Sequence, residues 1–188
     1  DNSESNLAIA TARAGNVIGG GDWAKDRILP DTINSLYKNE EILVRNPESK
    51  RPWQHVLEPL SGYLSLAEKL YLTQQNIKYE KKNSFSTSFN FGSNLESNKK
   101  VSELVNQILI YWKGSWKLDI NKTYLHEAKQ LHLNTDKAFR ILDWHQLWDF
   151  ETTIKKTVFW YKNFYKNGIK AFDLCIDDIT CFENNKLI

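Results

Sequence analysis

The residues of this chain best suited to chemistry gather in its first third. A glycine-rich stretch, GNVIGGGDW from Gly15 to Trp23, follows an apolar run, and arginines stand at positions 27, 45 and 51. A glycine-rich turn offers backbone amides and a guanidinium can donate two parallel bonds, so the pattern suits recognition of phosphate-like oxygens. Taken singly, each arginine reads as a solvated surface charge, and Asn16 as a brace for the glycine turn. Signatures of catalysis are missing: none of the eight tyrosines has a lysine four places on, and Gly15, Gly19, Gly20 and Gly21 do not fit G-x-G-x-x-G. Asp22, Asp26, Glu58 and the histidines lack the spacing of a known metal-ligand set, so no metal is expected. His55, inside RPWQHV, reads as a packed side chain, and no nucleophile motif stands out.

These residues need a scaffold, and the composition allows one. The chain has 188 residues, 41% of them hydrophobic and 26% charged, which fits one globular domain with a core of its own. A net charge of +2 gives no reason to expect nucleic acid or an anionic membrane as partner. No apolar run approaches the roughly 18 residues that span a bilayer, and the polar start DNSESN is unlike a signal peptide. A cytoplasmic location is the resulting expectation. Cys175 and Cys181 are too few for a disulfide framework and read as free thiols.

Periodicity supplies the elements. Leu7 to Val17 reads as a buried strand whose carboxyl end delivers the glycine loop, the place where α/β folds bind ligands. Arg27 to Lys38 reads as a helix, with Asp26 as its cap and Pro30 tolerated in the first turn. Glu41 to Arg45 reads as a short strand stopped at Asn46-Pro47. A helix begins near Pro59, with Leu60, Tyr63, Leu64, Ala67 and Leu70 along one face. Thr73 to Ser88 reads as an exposed loop, and Ser88 to Phe91 as a strand. From Lys99 to Trp112, Val101, Leu104, Val105, Ile108, Leu109 and Trp112 form an amphipathic stripe expected to pack in the core. Strands at Trp116 to Ile120 and Gln130 to Leu133 follow, then a short helix capped by Thr135 and a longer one capped by Asp149 and closed by Gly168. The alternation implies an α/β fold.

Two stretches, ARAGNVIGGGDWAKDRILPD from Ala12 to Asp31 and RPWQHVLEPLSGYLSLAEKL from Arg51 to Leu70, resemble the CDP-glucose 4,6-dehydratases, members of the extended short-chain dehydrogenase/reductase enzymes. The resemblance implies the C-terminal part of that Rossmann fold, with residues 1–40 ending the NAD-binding domain and 41–188 forming mainly the smaller sugar-nucleotide domain. It implies binding of CDP-glucose by Asn16, Arg27, Val44, Arg45, Arg51, Asn90 and Glu127, with Arg51 gripping the diphosphate and Glu127 accepting from the amine of cytosine. Arg13, Ala14 and Asn16 would approach the nicotinamide side of NAD.

In that family, NAD takes hydride from C4 of the glucose, water leaves across C5 and C6, and the hydride returns to C6. The tyrosine base, its lysine and the acid pair for elimination are expected in an N-terminal half that precedes Asp1; the chain also contains no methionine. By this reading no catalytic residue lies within the chain, NAD is held mainly by the other half, the isolated chain is inactive, and the full-length form is a homo-oligomer. Two alternatives stay open: a non-catalytic remnant or binding module, and a related nucleotide-sugar epimerase or reductase.

Overall fold

The computed structural model describes residues 7–75, 85–120 and 133–186. The long first strand divides in two: β1, Thr11–Ala14, and β2, Asn16–Ile18, separated by Gly15. Each half joins a different partner. β1 runs parallel to β5, Ser88–Phe91, while β2 runs parallel to β4, Lys50–His55. β4 in turn pairs antiparallel with β6, Asn98–Lys100, and β3, Ile42–Val44, runs parallel to β7, Trp116–Leu118.

β4 has no counterpart among the sequence-based elements. Its residues Arg51 to His55 are all buried, so the alternation that marks a half-exposed strand is absent, and Pro52 argues against a central strand. The structure accommodates the proline at a changeover: Pro52 is the last partner of β6, and pairing with β2 begins at Trp53.

Helix α1, Ile28–Lys38, starts one residue after Arg27 rather than on an Asp26 cap. Asp26 has φ 63°, a left-handed conformation unlike the extended one of an N-cap. Helix α2, Leu57–Gln74, holds Pro59 in its first turn and buries a face rotated from the expected one, on which Tyr63 and Leu70 still pack against the core. Gly62 and Leu66 point inward while Leu60 and Leu64 are exposed. The reason is local: a Cβ on Gly62 would come within 2.2 Å of the Phe91 ring, so the helix lies closest to β5 where it has no side chain.

Helix α3, Val101–Tyr111, packs as its stripe demands, with Leu104, Val105 and Ile108 buried. Between them and α5, Phe150–Asn167, lies the main core, which includes Leu29, Ile33, Trp53, Ile154, Val158 and Tyr161. A second cluster joins Leu66, Phe85, Phe89, Phe91 and Trp144 around helix α4, Asp136–Leu142. Asp149 caps α5 by accepting from the Thr152 amide at 2.8 Å, and Gly168 closes it at φ 64°. Thr135 occupies the N-cap position of α4 without a side-chain cap bond, and Asn134 Oδ1 instead accepts from the Asp136 amide. A last helix, α6, Ala171–Lys186, had no sequence forecast; it carries Cys175 and Cys181, both free, and lays Leu174 and Phe182 inward.

Of the loop expected from Thr73 to Ser88, residues 76–84 lie outside the described residues; Thr73 and Gln74 complete α2, and Phe85 is buried. Most of the strand expected at Gln130 to Leu133 lies outside the described residues, and Leu133 itself is not in a strand.

Candidate functional site

A cavity of about 480 Å³ opens where the carboxyl-side loops of β2 and β3 meet the first turn of α1. Asn16, Arg27, Arg45 and Arg51, four of the residues singled out by sequence, line it together. The ladder accounts for two of them: Asn16 stands opposite Trp53 in the β2–β4 register, so Arg51 lies two residues away on the neighbouring strand.

The first turn of α1 faces the same space through Ile28, Leu29, Pro30 and Asp31. No side chain caps that turn; Pro30 has no N–H and the Asp31 amide bonds the Arg27 carbonyl, so the amides of Ile28 and Leu29 remain at the positive end of the helix, a setting that favours an anion. Arg51 is 8% exposed and donates to the Lys50 carbonyl at 2.8 Å, so its fork is held close against β4. Lys99 is its cross-strand partner in the β4–β6 ladder, adding a second cation one strand away. Apolar walls come from Val17, Leu43, Trp53 and Val101.

Acids balance the arginines. Asp22 pairs with Arg27 at 3.2 Å, and Arg45 pairs with Asp26 and, at 3.9 Å, with Asp31. Burial raises the Asp31 carboxyl above its ordinary range; the Arg45 charge opposes this and the Asp26 charge adds to it. Three aspartates and three arginines therefore share the lining, and attraction for a ligand anion comes from placed donors rather than from net charge.

Other expected residues lie elsewhere. Val44 is fully buried in the core, because alternation along β3 turns its neighbour Leu43, rather than Val44, into the cavity. The Asn90 amide donates to the Asn134 carbonyl at 3.1 Å, a bond that ties β5 to the start of α4, and Asn90 is not in the lining. Arg13 and Ala14 sit on β1, beside rather than within the cavity, while Gly15 and Asn16 enter it. Glu127, with His126, lies outside the described residues.

Three residues escaped sequence reasoning altogether. Tyr161, on α5, donates to the Asp22 carbonyl at 2.6 Å and accepts from the Asp22 amide at 2.9 Å. Tyr165 accepts from Trp23 Nε1 at 2.9 Å. Trp160 covers Gly20 so closely that a Cβ there would sit 2.1 Å from the indole. Their signal was the dense aromatic run FWYKNFY, which reads as core packing when the loop it meets is 139 positions away. His55 is buried as expected; its Nδ1 accepts from the Leu57 amide and its ring packs edge-on to Trp148 at 4.8 Å. Among the described residues no group of three or more His, Cys, Asp and Glu side chains could hold a metal, and no helix is long and apolar enough to cross a membrane.

No protein-family model matches the chain. Over 158 residues it is 44% identical to the CDP-glucose 4,6-dehydratase of Salmonella typhimurium strain LT2, a match that covers 83% of this chain and 42% of that protein. The chain thus spans less than half the length of the curated relative it matches. Its fold is similar to that of dTDP-glucose 4,6-dehydratase from Bacillus anthracis in complex with NAD, with TM-score 0.60, 18% identity, and coverage of 82% of this chain and 44% of the other. It is also similar to UDP-glucuronic acid 4-epimerase from Bacillus cereus in complex with UDP-glucuronic acid and NAD, with TM-score 0.63, 14% identity, and coverage of 85% and 46%. At such identities the two structures speak to fold alone. The resemblance read from RAGNVIGGGDW holds over most of the chain, and its α/β fold with parallel strands is shared with part of these dehydratase and epimerase structures.

Proposed function

We propose that this chain supplies the sugar-nucleotide-binding part of a CDP-glucose 4,6-dehydratase. The observation that carries the reading is the convergence of Asn16, Arg27 and Arg51 with the uncapped start of α1 on one cavity, in a chain 44% identical to such an enzyme. The diphosphate is bound at that helix end. Arg51 and Arg27 donate to its oxygens and Asn16 to the diphosphate or sugar, while Leu43 and Val101 wall the base. Arg45 acts more remotely, bracing Asp26 and Asp31. Glu127 selects cytosine by accepting from its exocyclic amine. Asn90 contributes by holding β5 to α4 rather than by reaching phosphate.

NAD supplies hydride transfer in enzymes of this kind. Arg13, Ala14 and Asn16 offer it little more than a strand edge: the glycine turn does not run directly into a helix, since six residues separate Gly21 from Ile28, and a pyrophosphate cradle needs that junction. These residues do not fit a complete dinucleotide site. In this proposal NAD is bound mainly by other parts of the enzyme, these residues bind and orient substrate, and the chain alone does not turn over. Assembly of the whole enzyme as a homo-oligomer, in the cytoplasm, belongs to the same proposal.

Competition binding tests the substrate class. CDP is expected to displace UDP and dTDP, and Glu127→Gln is expected to level the preference. Equal affinities in the unaltered chain would remove cytosine selection, and a preference for UDP would favour an epimerase acting on another nucleotide sugar.

A further inference from the structure

We infer that Tyr161 is a positioning residue for the cavity: its hydroxyl fixes the backbone of Asp22, and Asp22 orients the Arg27 guanidinium at the cavity mouth. The inference rests on the reading of that cavity as a nucleotide diphosphate site.

Tyr161 is fully buried, and its hydroxyl meets both backbone groups of one residue, giving a bond to the Asp22 carbonyl at 2.6 Å and taking one from the Asp22 amide at 2.9 Å. A phenol has one proton to donate and lone pairs to accept, so a single oxygen satisfies both. Burial also pushes the phenol far above its ordinary range, which keeps it a donor wherever the protein is folded. The neighbouring turn of α5 completes the grip. Trp160 occupies the space beside Gly20, and the Tyr165 hydroxyl accepts from the Trp23 indole N–H. Trp23 also stands edge-on to Trp160 and Tyr161, with ring centroids 6.0 and 6.4 Å apart.

Once its backbone is fixed, the Asp22 carboxylate has two tasks. Oδ1 accepts from the Ala24 amide at 2.9 Å, which turns the chain, and Oδ2 meets Arg27 Nη1 at 3.2 Å. The Arg27 side chain is 67% exposed, and an exposed ion pair orders a long side chain weakly when the carboxylate itself is mobile. Anchoring the carboxylate from α5 removes that mobility. The consequence is a line of control that enters the cavity lining at Asp22 and Arg27 from Tyr161, which is not itself part of that lining.

The test has a ligand-free arm and a binding arm. In nitrogen-15 relaxation measurements on the full chain, Tyr161→Phe and Asp22→Asn are both expected to mobilise the Arg27 side-chain Nε–H, and Tyr161→Phe also the Asp22 and Trp23 amides, while amides of α3 stay rigid. Unchanged Arg27 relaxation in both variants would overturn the inference whether or not any nucleotide binds. In titration calorimetry with CDP, Tyr161→Phe is expected to weaken binding about fivefold, the scale of one hydrogen bond. The same change in an Arg27→Ala background is expected to have no further effect, because the phenol acts through Arg27. An equal loss in both backgrounds would overturn the line of control. Absence of CDP binding by the unaltered chain would remove the nucleotide reading, leaving the relaxation result to decide the positioning.

Discussion

The carboxylate of Glu58 accepts the backbone amide of Trp148 at 2.8 Å and that of the preceding Leu147 at 3.1 Å, although the residues are 90 and 89 positions apart. Glu58 is fully buried in the first turn of α2, where a carboxylate also complements the helix dipole. The pair of bonds fastens the segment leading into α5 to the helix that follows β4. Glu58→Gln offers one oxygen in place of two and is expected to lower stability by about 2 kcal/mol, the range for bonds to a charged acceptor. Urea unfolding checks this; an unchanged midpoint would show the carboxylate to be dispensable.

Gly20→Ala places a methyl group where Trp160 already lies, 2.1 Å from the indole. One of the two must move, and overpacking of this kind costs about 1–3 kcal/mol. The expected outcome is a lower melting temperature together with a red shift in tryptophan emission as Trp160, only 3% exposed, is displaced. Emission and melting both unchanged would contradict the close approach.

Arg45→Ala separates bracing from direct contact. Its guanidinium already meets Asp26 and Asp31, so its loss is expected to weaken CDP binding by less than about threefold, well short of the effect of losing a charge-assisted contact to phosphate. Removing the charge that holds the Asp31 carboxyl down is expected to raise that group further, which a carbon-13 NMR titration reads directly. A loss of affinity as large as that in Arg51→Ala would make Arg45 a direct ligand.

Acid sensitivity is expected to trace to His55. Burial, with a smaller push from the Lys156 charge, lowers its imidazole from 6.5 to about 3. The unfolded chain takes up this proton near pH 6.5 while the folded protein refuses it until about pH 3. The stabilisation is therefore complete above pH 6.5 and is lost as pH falls from 6.5 toward 3, at up to about 1.4 kcal/mol per pH unit. His55→Asn, which keeps an acceptor for the Leu57 amide, should flatten the decline between pH 6.5 and 5 measured by urea unfolding. An equal slope in both proteins would assign the acid sensitivity to other groups.

Much of this structure was legible from local pattern. The stripe of α3, the Asp149 cap and the Gly168 stop are written in side chains whose effects reach only one or two turns. Arg27 and Arg51, singled out by the family resemblance, line one cavity, although taken singly each read as a surface charge. What could not be read depends on pairings across the chain. β4 is buried from Arg51 onward and begins with Lys-Arg-Pro, so it shows neither alternation nor a clean apolar run. The split of the first strand at Gly15 follows from two different parallel partners. Leu43 and Val44 are equally apolar, and only the register of β3 with β7 decides which one meets the cavity. The buried face of α2 follows from how closely Gly62 approaches Phe91, which no helical wheel can show.

The most direct test of the central claim is titration calorimetry of the chain with CDP, repeated on Arg51→Ala. The account predicts saturable binding at one site, weakened by about 2 kcal/mol when the guanidinium is removed. No saturable binding, or an affinity that Arg51→Ala leaves unchanged, would contradict the assignment of this cavity to a nucleoside diphosphate.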